Sequence, residues 1–474
     1  MKINDIDIEE QVAKMKAVLA EDKSMSEATR MMVEMMLMII TLLCARLGIN
    51  SRNSSKPPSS DPNREKKPTK GQSGNKPGGQ PGHKGETLTQ VEQPDEVRVI
   101  ELDQSTLPPG KYESAGFEKR QVVDIKISRN IIEYQAQILV DENGKKFVAP
   151  FPNGVNKAIQ YGNELKALSV YLSQYQLLPY NRIQELFEQQ FGLNLSTGSM
   201  VNFNQEAYKN LEPFESQVKA GLLNSPVVHA DETGINIDGK RKWLHCTSNG
   251  SWTYFMPHDK RGGEAIDDMG VLPNYSGSLC HDHWKPYYKY TDAEHVLCNA
   301  HHLRELEFAA TKDGQQWAKQ MQEFLIETNK EVTEAGGELE GDKLAQKKQQ
   351  YNDILNAGDK ECPPPPEEKQ KGKRGKVARS KSRNLLERLR DYEDDTLRFM
   401  TRKEVPFTNN QGENDLRMTK VQQKISGCFR SMEGAAVFSR IRSYLSTCRK
   451  QNIQAGDAML KVFDHQLPDF QSQI

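Results

Sequence analysis

From residue 226 onward the chain runs as three apolar or alternating stretches, VVHADETGINI, RKWLHCTSNG and SWTYFMPH, separated by polar turns. Alternation with period two is the pattern of a strand with one face buried. Three such runs in close succession predict an antiparallel meander. A helix-compatible stretch follows at Glu264–Met269, then the strand-like SGSLCHDHW, then HVLCNAHHLRELEFAATK, which passes from strand to helix. A chain built this way must bury a sheet under helices, so it predicts an α/β core with a mixed sheet.

Three strands, a helix, a strand, then a further strand and helix are the element order of a ribonuclease-H-like fold. Residues 226–313 are read as its first part. Residues 314–404 interrupt it as a helical insertion: 314–356 is highly charged and helical, and the loop ECPPPPEEKQKGKRGKVARSKSR leads into the helix NLLERLRDYEDDTLRFM. Residues 405–474 supply a last helix of the core and a C-terminal helical region.

The N-terminal half has a different texture. Residues 1–50 read as helical, with Met32, Met36, Ile39 and Leu43 in steps of four, three and four, the seam of a coiled coil. That helix either packs on its own domain or self-associates, and self-association is the reading taken. Residues 51–95 form a basic Pro/Gly-rich linker with almost nothing to bury; such an arm can also neutralise phosphates. Residues 96–156 hold short alternating runs, VRVIEL, QVVDIKI and IIEYQAQIL, which predict a small β-rich module. Residues 157–225 look helical. Within them NRIQELFEQQF, a turn at Gly192 and Ser196 as an N-cap imitate a helix-turn-helix. The second helix offers Lys209 as its only clear cation beside Glu206 and Glu212, so helical packing is preferred there and DNA binding is the alternative.

Net charge is −1, yet charge is uneven: Arg64–Lys84 and Lys371–Arg383 are strongly basic, and Asp359–Glu368 is acidic. A nucleic-acid enzyme can be neutral overall and still present basic faces. Seven scattered cysteines favour reduced thiols in a cytoplasm over a disulfide scaffold. MKINDIDIEE is acidic and polar, so no signal peptide is expected. The apolar run Met35–Ala45 falls short of the about 20 residues a bilayer span needs, so no membrane association is expected.

Phosphodiester chemistry with two metals needs carboxylates that converge. Asp231 lies in the first strand, Asp282 ends the apolar SGSLCHD, and Glu413 opens a helix after the turn-like FTNNQG. Glu413, Arg417, Lys420 and Lys424 share one face of that helix, spaced by four, three and four. They place a metal ligand at one end and cations along the track of a phosphate backbone. Arg430 continues the basic run, with Arg440, Arg442, Arg449 and Lys450 beyond it. In the insertion, Lys373, Arg374 and Lys376 lie in KGKRGKVARSKSR, which has seven Lys or Arg and no acid.

At these residues the chain resembles the IS66 family of transposases. HADET (His229–Thr233) resembles that family's first-aspartate motif, CHDHWKPYY (Cys280–Tyr288) the second-aspartate block, and CNAHHLREL (Cys298–Leu306) the CxxH-containing block after it. NNQGENDLRMTKVQQKISGCFRS (Asn409–Ser431), continued by RIRSYLSTCRKQ, resembles the final-glutamate block. NSSKPPSSD and GGQPGHKG resemble the N-terminal linker. The resemblance implies a DDE transposase that binds element ends and performs DNA cleavage and strand transfer. It implies Asp231, Asp282 and Glu413 as catalytic and metal ligands, and two Mg²⁺ or Mn²⁺ ions. Its partners would be DNA, a second copy in a dimer or larger synaptic assembly, and accessory proteins of the same element. It would act in a bacterial cytoplasm, nucleoid-associated when bound to DNA.

The chain departs from the family in three places. Many relatives carry a zinc module before the core, whereas residues 87–225 contain no cysteine, so 96–156 is a degenerate counterpart and no zinc is expected. HDHW stands where many relatives have Asp-Gly-Tyr, which leaves Asp292 as a distant second choice to Asp282. Asn414 replaces an Arg after the glutamate. Cys280, His283, Cys298 and His301 could in principle bind zinc, but Cys280-x-x-His283 would have to turn away from Asp282. A structural role for Cys298 and His301 is preferred. Two other functions stay open: a DNA-binding protein that has lost chemistry, and a metal-dependent nuclease without joining.

Overall fold

The computed structural model describes residues 2–3, 6–21, 25–47, 88–364 and 379–470. Strands β1 (Lys2–Ile3) and β2 (Ile6–Asp7) pair antiparallel ahead of helices α1 (Ile8–Glu21) and α2 (Glu27–Leu47). Ser26 caps α2, its hydroxyl accepting from the Thr29 amide at 3.2 Å. Met32, Met36, Ile39 and Leu43 are all exposed along α2, so the seam read from the sequence is an uncovered apolar stripe. The linker falls almost wholly outside the described residues. Among the described residues no helix is long and apolar enough to cross a membrane.

The chain divides into two compact units, residues 65–137 by themselves and the remainder. In the smaller unit the described residues 88–137 contain no strand, only a short 3₁₀ turn at Gln104–Thr106. The Gln121 side chain supplies what a neighbouring strand would, accepting from the Val91 amide at 2.8 Å and donating to its carbonyl at 2.7 Å. Val122 and Ile125 are more than 80 % exposed: the alternation is there, but among the described residues nothing covers the apolar face. In the larger unit the stretch 138–156 forms one hairpin, β3 (Ile138–Val140) with β4 (Lys146–Val148).

Four helices follow: α3 (Asn163–Val170), α4 (Tyr180–Phe191), α5 (Thr197–Asn210) and α6 (Glu212–Leu223). Gly192 ends α4 at φ 62°, a left-handed conformation that glycine adopts without strain. Ser196 caps α5 by accepting from the Ser199 amide at 3.0 Å. Met200, Phe203 and Ala207 of α5 are buried among α3, α4 and α6, so this helix is packed as the sequence reading preferred.

The sheet has five strands: β5 (Val227–Ile237), β6 (Lys240–Ser248), β7 (Thr253–His258), β8 (Ser278–His281) and β9 (Glu294–Leu297), in the order β7-β6-β5-β8-β9. β5, β6 and β7 are antiparallel neighbours; β8 lies parallel to β5, and β9 parallel to β8. Helix α7 (Gly263–Met269) connects β7 to β8. Both faces are covered, so this is a mixed α/β structure with a sheet between helical layers. Val228, Ala230 and Leu279 face α3–α6, while Val227, Cys280 and Val296 face α8 (Asn299–Lys312) and the insertion.

The insertion comprises α9 (Gln316–Glu334), α10 (Gly341–Glu361), α11 (Lys381–Asp391) and α12 (Glu393–Leu397), packed around Trp317, Tyr351 and Leu386. The last core helix is α13 (Asn410–Ser426), followed by α14 (Met432–Lys450) and α15 (Ala455–Phe463). Edge strand β7 is closed by hydroxyls of α14: Ser443 accepts from the Phe255 amide at 2.8 Å and Thr447 from the Thr253 amide at 3.1 Å. Small polar residues on α14 thus satisfy backbone groups that an open edge would expose.

Candidate active site

In β5 side chains alternate between faces, so Asp231 shares its face with Val227 and His229, toward α8 and α13. Its Oδ1 accepts from the Glu232 amide at 2.8 Å. Asp282 comes immediately after β8, its Oδ1 accepting from the Trp284 amide at 2.9 Å, a local turn that fixes the carboxyl. His229 pairs with Cys280 across the parallel strands. Asp231 lies two residues beyond that pair in β5, and Asp282 two residues beyond it, just past the end of β8. Glu413 sits in the first turn of α13. A Cβ at Gly412 would stand 3.4 Å from the Asp231 Cβ, so α13 starts against the strand that bears Asp231.

The electrostatics follow from this crowding. Burial first, then the charges of Glu232, Asp282 and Glu413, push Asp231 well above the usual carboxylate range. Burial and Glu232 push Asp282 to about 6. Like charges held together in a dry place disfavour their own ionisation, and a divalent cation is the group that relieves them. The donor set fits Mg²⁺ or Mn²⁺, which take oxygen ligands and keep water.

Asn409 holds the site together. Its amide nitrogen donates to the Ala230 carbonyl at 2.9 Å, its side-chain oxygen accepts from His229 Nδ1 at 2.7 Å, and its backbone N–H donates to Cys298 Sγ at 3.1 Å. One residue therefore ties β5, the start of α8 and α13. The sequence marked it only as part of a turn.

A fourth acid was also missed. Glu232 has a side chain only 2 % exposed, paired with Arg261 at 2.6 Å and accepting from the Tyr287 hydroxyl at 2.7 Å. The Arg261 guanidinium lies over the rings of Trp243 and Trp284, 4.9 and 4.4 Å from their centroids. HADET shows an acid beside an acid, and no local signal tells that its counter-ion arrives from β7's far end.

The cations divide into two groups. Arg417, Lys424 and Arg430 are exposed, as a phosphate track requires. Lys420 is exposed as well, but its ammonium donates to the Gly234 carbonyl at 2.6 Å, close enough to feel Asp231. Arg440, Arg442 and Lys450, read as further basic surface, are committed inside. Arg440 pairs with Glu215 at 2.8 Å, Arg442 donates to the Tyr175 carbonyl at 3.1 Å, and Lys450 pairs with buried Asp415 at 2.7 Å. Lys373, Arg374 and Lys376 lie outside the described residues. From the insertion, half-buried Arg388 pairs with Glu305 and lies near enough to Asp282 to feel its charge.

Cys298 is buried at the N-cap of α8, and Asn299 next to it donates to the Thr396 carbonyl at 3.0 Å. His302 meets the Asn299 side-chain oxygen at 3.1 Å. Asn299 and His302 thus fix the start of the helix that follows. Burial, with Arg304 and Arg388 nearby, holds His301 down at about 4, so its ring is neutral at pH 7. Cys280 is buried in β8, and His283 meets Tyr392 edge-to-face with ring centroids 4.6 Å apart. Among the described residues the group spaced for a metal is Cys298, His301 and Glu413, without Cys280 or His283.

Two family models match the sequence. One, described as the Transposase IS66 family, spans residues 158–437, well over half of the chain, and takes in all three carboxylates together with the insertion. The other, described as a family of unknown function (DUF6444), spans residues 3–89. Among curated proteins none matches.

Proposed function

Because the chain belongs to the Transposase IS66 family, we propose that it is a DDE-type transposase that binds element ends, cuts DNA and joins the freed end to target DNA. The observation that carries this reading is the proximity of three acids on neighbouring elements. Asp231 lies within β5, Asp282 follows directly on the adjacent parallel strand β8, and the helix bearing Glu413 begins against Asp231. The strand order β7-β6-β5-β8-β9 agrees with a ribonuclease-H-like core. Two Mg²⁺ or Mn²⁺ ions held by these carboxylates would supply the charge that activates water and stabilises the attacking and leaving oxygens.

The chain's own residues prepare that place. Amides of Glu232 and Trp284 orient the two aspartates, and Asn409 fixes β5 against α13. Arg261 and Tyr287 satisfy Glu232, so the fourth acid is neutralised by protein groups. Exposed Arg417, Lys424 and Arg430 approach the DNA backbone, joined by Lys373, Arg374 and Lys376. Synapsis of two ends calls for a dimer or larger assembly in the cytoplasm, and the exposed stripe of α2 is the surface suited to self-association.

The test is cleavage and joining of an element-end duplex by full-length protein in Mg²⁺. Asp231→Asn, Asp282→Asn and Glu413→Gln should each abolish cleavage while gel-shift binding persists. Undiminished cleavage by Asp231→Asn would sink the proposal. Cleavage without any joined product would favour the nuclease reading.

A further inference from the structure

Cys298, His301 and Glu413 offer a sulfur, a ring nitrogen and a carboxylate oxygen that all lie within 4.8 Å of one another. Cys298 and His301 stand one helical turn apart at the start of α8, and Glu413 arrives from α13 beyond the insertion. His301 Nδ1 is buried without a hydrogen-bond partner, 4.0 Å from Glu413 Oε1. That separation is too long for a hydrogen bond, and an orphaned buried nitrogen costs about 1–3 kcal/mol. An ion between the two groups would satisfy both.

The geometry and the chemistry agree on the kind of ion. Two ligands on a tetrahedral ion, each at about 2.1–2.3 Å, lie roughly 3.4–3.8 Å apart. Side-chain shifts of about 1 Å would therefore close the trio. Thiolate and imidazole select a borderline transition ion and disfavour Mg²⁺, which demands oxygen. The Cys298 sulfur already accepts from the Asn409 amide at 3.1 Å. Such an N–H donor belongs to the outer shell that steadies a bound thiolate.

We infer that Cys298, His301 and Glu413 form a Zn²⁺ site with its fourth position open to water. Binding forms the Zn–S bond and releases the thiol proton to solvent. The ion joins the start of α8 to the start of α13, the two parts of the core that the insertion separates. Its effect on catalysis rests on the reading of Glu413 given above: zinc holds that carboxylate on the His301 side and opposes Mg²⁺-dependent cleavage. Zinc binding itself does not depend on that reading.

The experiment titrates full-length protein with Zn²⁺ against a chromogenic chelator and records the thiolate-to-metal absorption with Co²⁺. One tight equivalent is expected in the wild type. It should weaken at least tenfold in Cys298→Ser and in His301→Gln, and persist in Asp231→Asn; the Co²⁺ absorption should vanish in Cys298→Ser. Should Cys298→Ser fail to fold, His301→Gln carries the comparison. Absence of a tight equivalent, or equal affinity in wild type and the folded variants, overturns the site. Equal weakening in Asp231→Asn also overturns it, because the ion would then sit on the aspartates. Failure of the transposase reading would leave zinc binding unchanged and show only as absent cleavage, so the two failures are separable.

Discussion

His229 Nδ1 and Asn409 Oδ1 meet at 2.7 Å across 180 residues of sequence. Because the Asn409 amide nitrogen is engaged by the Ala230 carbonyl, its oxygen faces the ring and His229 donates from Nδ1. Asn409→Ala removes both side-chain bonds and leaves two buried groups on β5 unsatisfied. A loss of about 2 kcal/mol is expected, read as a lower urea midpoint with unchanged slope, together with weaker cleavage. An unchanged midpoint would mean that α13 is held to β5 by packing alone.

Glu232 depends on Arg261. Removing one partner of a buried pair strands the other charge, at a cost of about 3 kcal/mol or more; because Arg261 is 40 % exposed, about 2 kcal/mol is the better expectation for Arg261→Ala. Glu232→Gln in the Arg261→Ala background should recover part of that loss. If the double variant is no more stable than Arg261→Ala, the guanidinium acts through Trp243 and Trp284 and not through Glu232.

In metal-free protein the buried carboxyls of Asp231 and Asp282 oppose folding. Asp282 ionises near 3.8 when unfolded and is raised to about 6 by burial and Glu232. The unfolded chain therefore loses this proton first as pH rises. The penalty begins near pH 4, grows to about pH 6 and stays constant above it. Asp282→Asn should then stabilise the protein in EDTA at pH 8 by about 3 kcal/mol, with the gain fading toward pH 4. A pH-independent difference between the two melting temperatures would exclude the charge as its cause.

How much of this was legible depends on the range of each signal. Gly192 and Ser196 end and begin helices through bonds to residues three or four places away, and the sequence placed both. The strand positions of the two aspartates were readable because an apolar run ahead of an acid is a local pattern. The internal cations were not. Arg442 and Lys450 look like surface charge until Tyr175 and Asp415, 267 and 35 residues away, are brought beside them. VRVIEL and QVVDIKI alternate like strands, yet alternation only offers a face, and no partner covers it among the described residues.

The insertion is packed too tightly at one point to accept a methyl group. A Cβ on Gly358 in α10 would stand 2.2 Å from Leu386 Cδ1 in α11 and 2.9 Å from Trp317 Cγ in α9. Gly358→Ala should cost about 1–3 kcal/mol despite the gain in helix propensity. A neutral or stabilised variant would show that these helices can separate without loss.

The basic face of α13 is not one uniform track. Arg417 and Lys424 are exposed on either side of Lys420, whose ammonium is held by the Gly234 carbonyl at 2.6 Å, three residues beyond Asp231. A cation facing phosphate releases counterions when DNA binds, whereas a cation held by its own protein does not. Arg417→Ala and Lys424→Ala should each lower the slope of log K against log salt by about 1 and weaken binding equally for all sequences. Lys420→Ala should leave that slope unchanged and reduce cleavage instead, because it frees the strand that presents Asp231. Fluorescence anisotropy across a salt series, paired with a cleavage time course, separates the two. If Lys420→Ala alters the slope as its neighbours do, the ammonium leaves Gly234 for the DNA, and the face works as a single phosphate track.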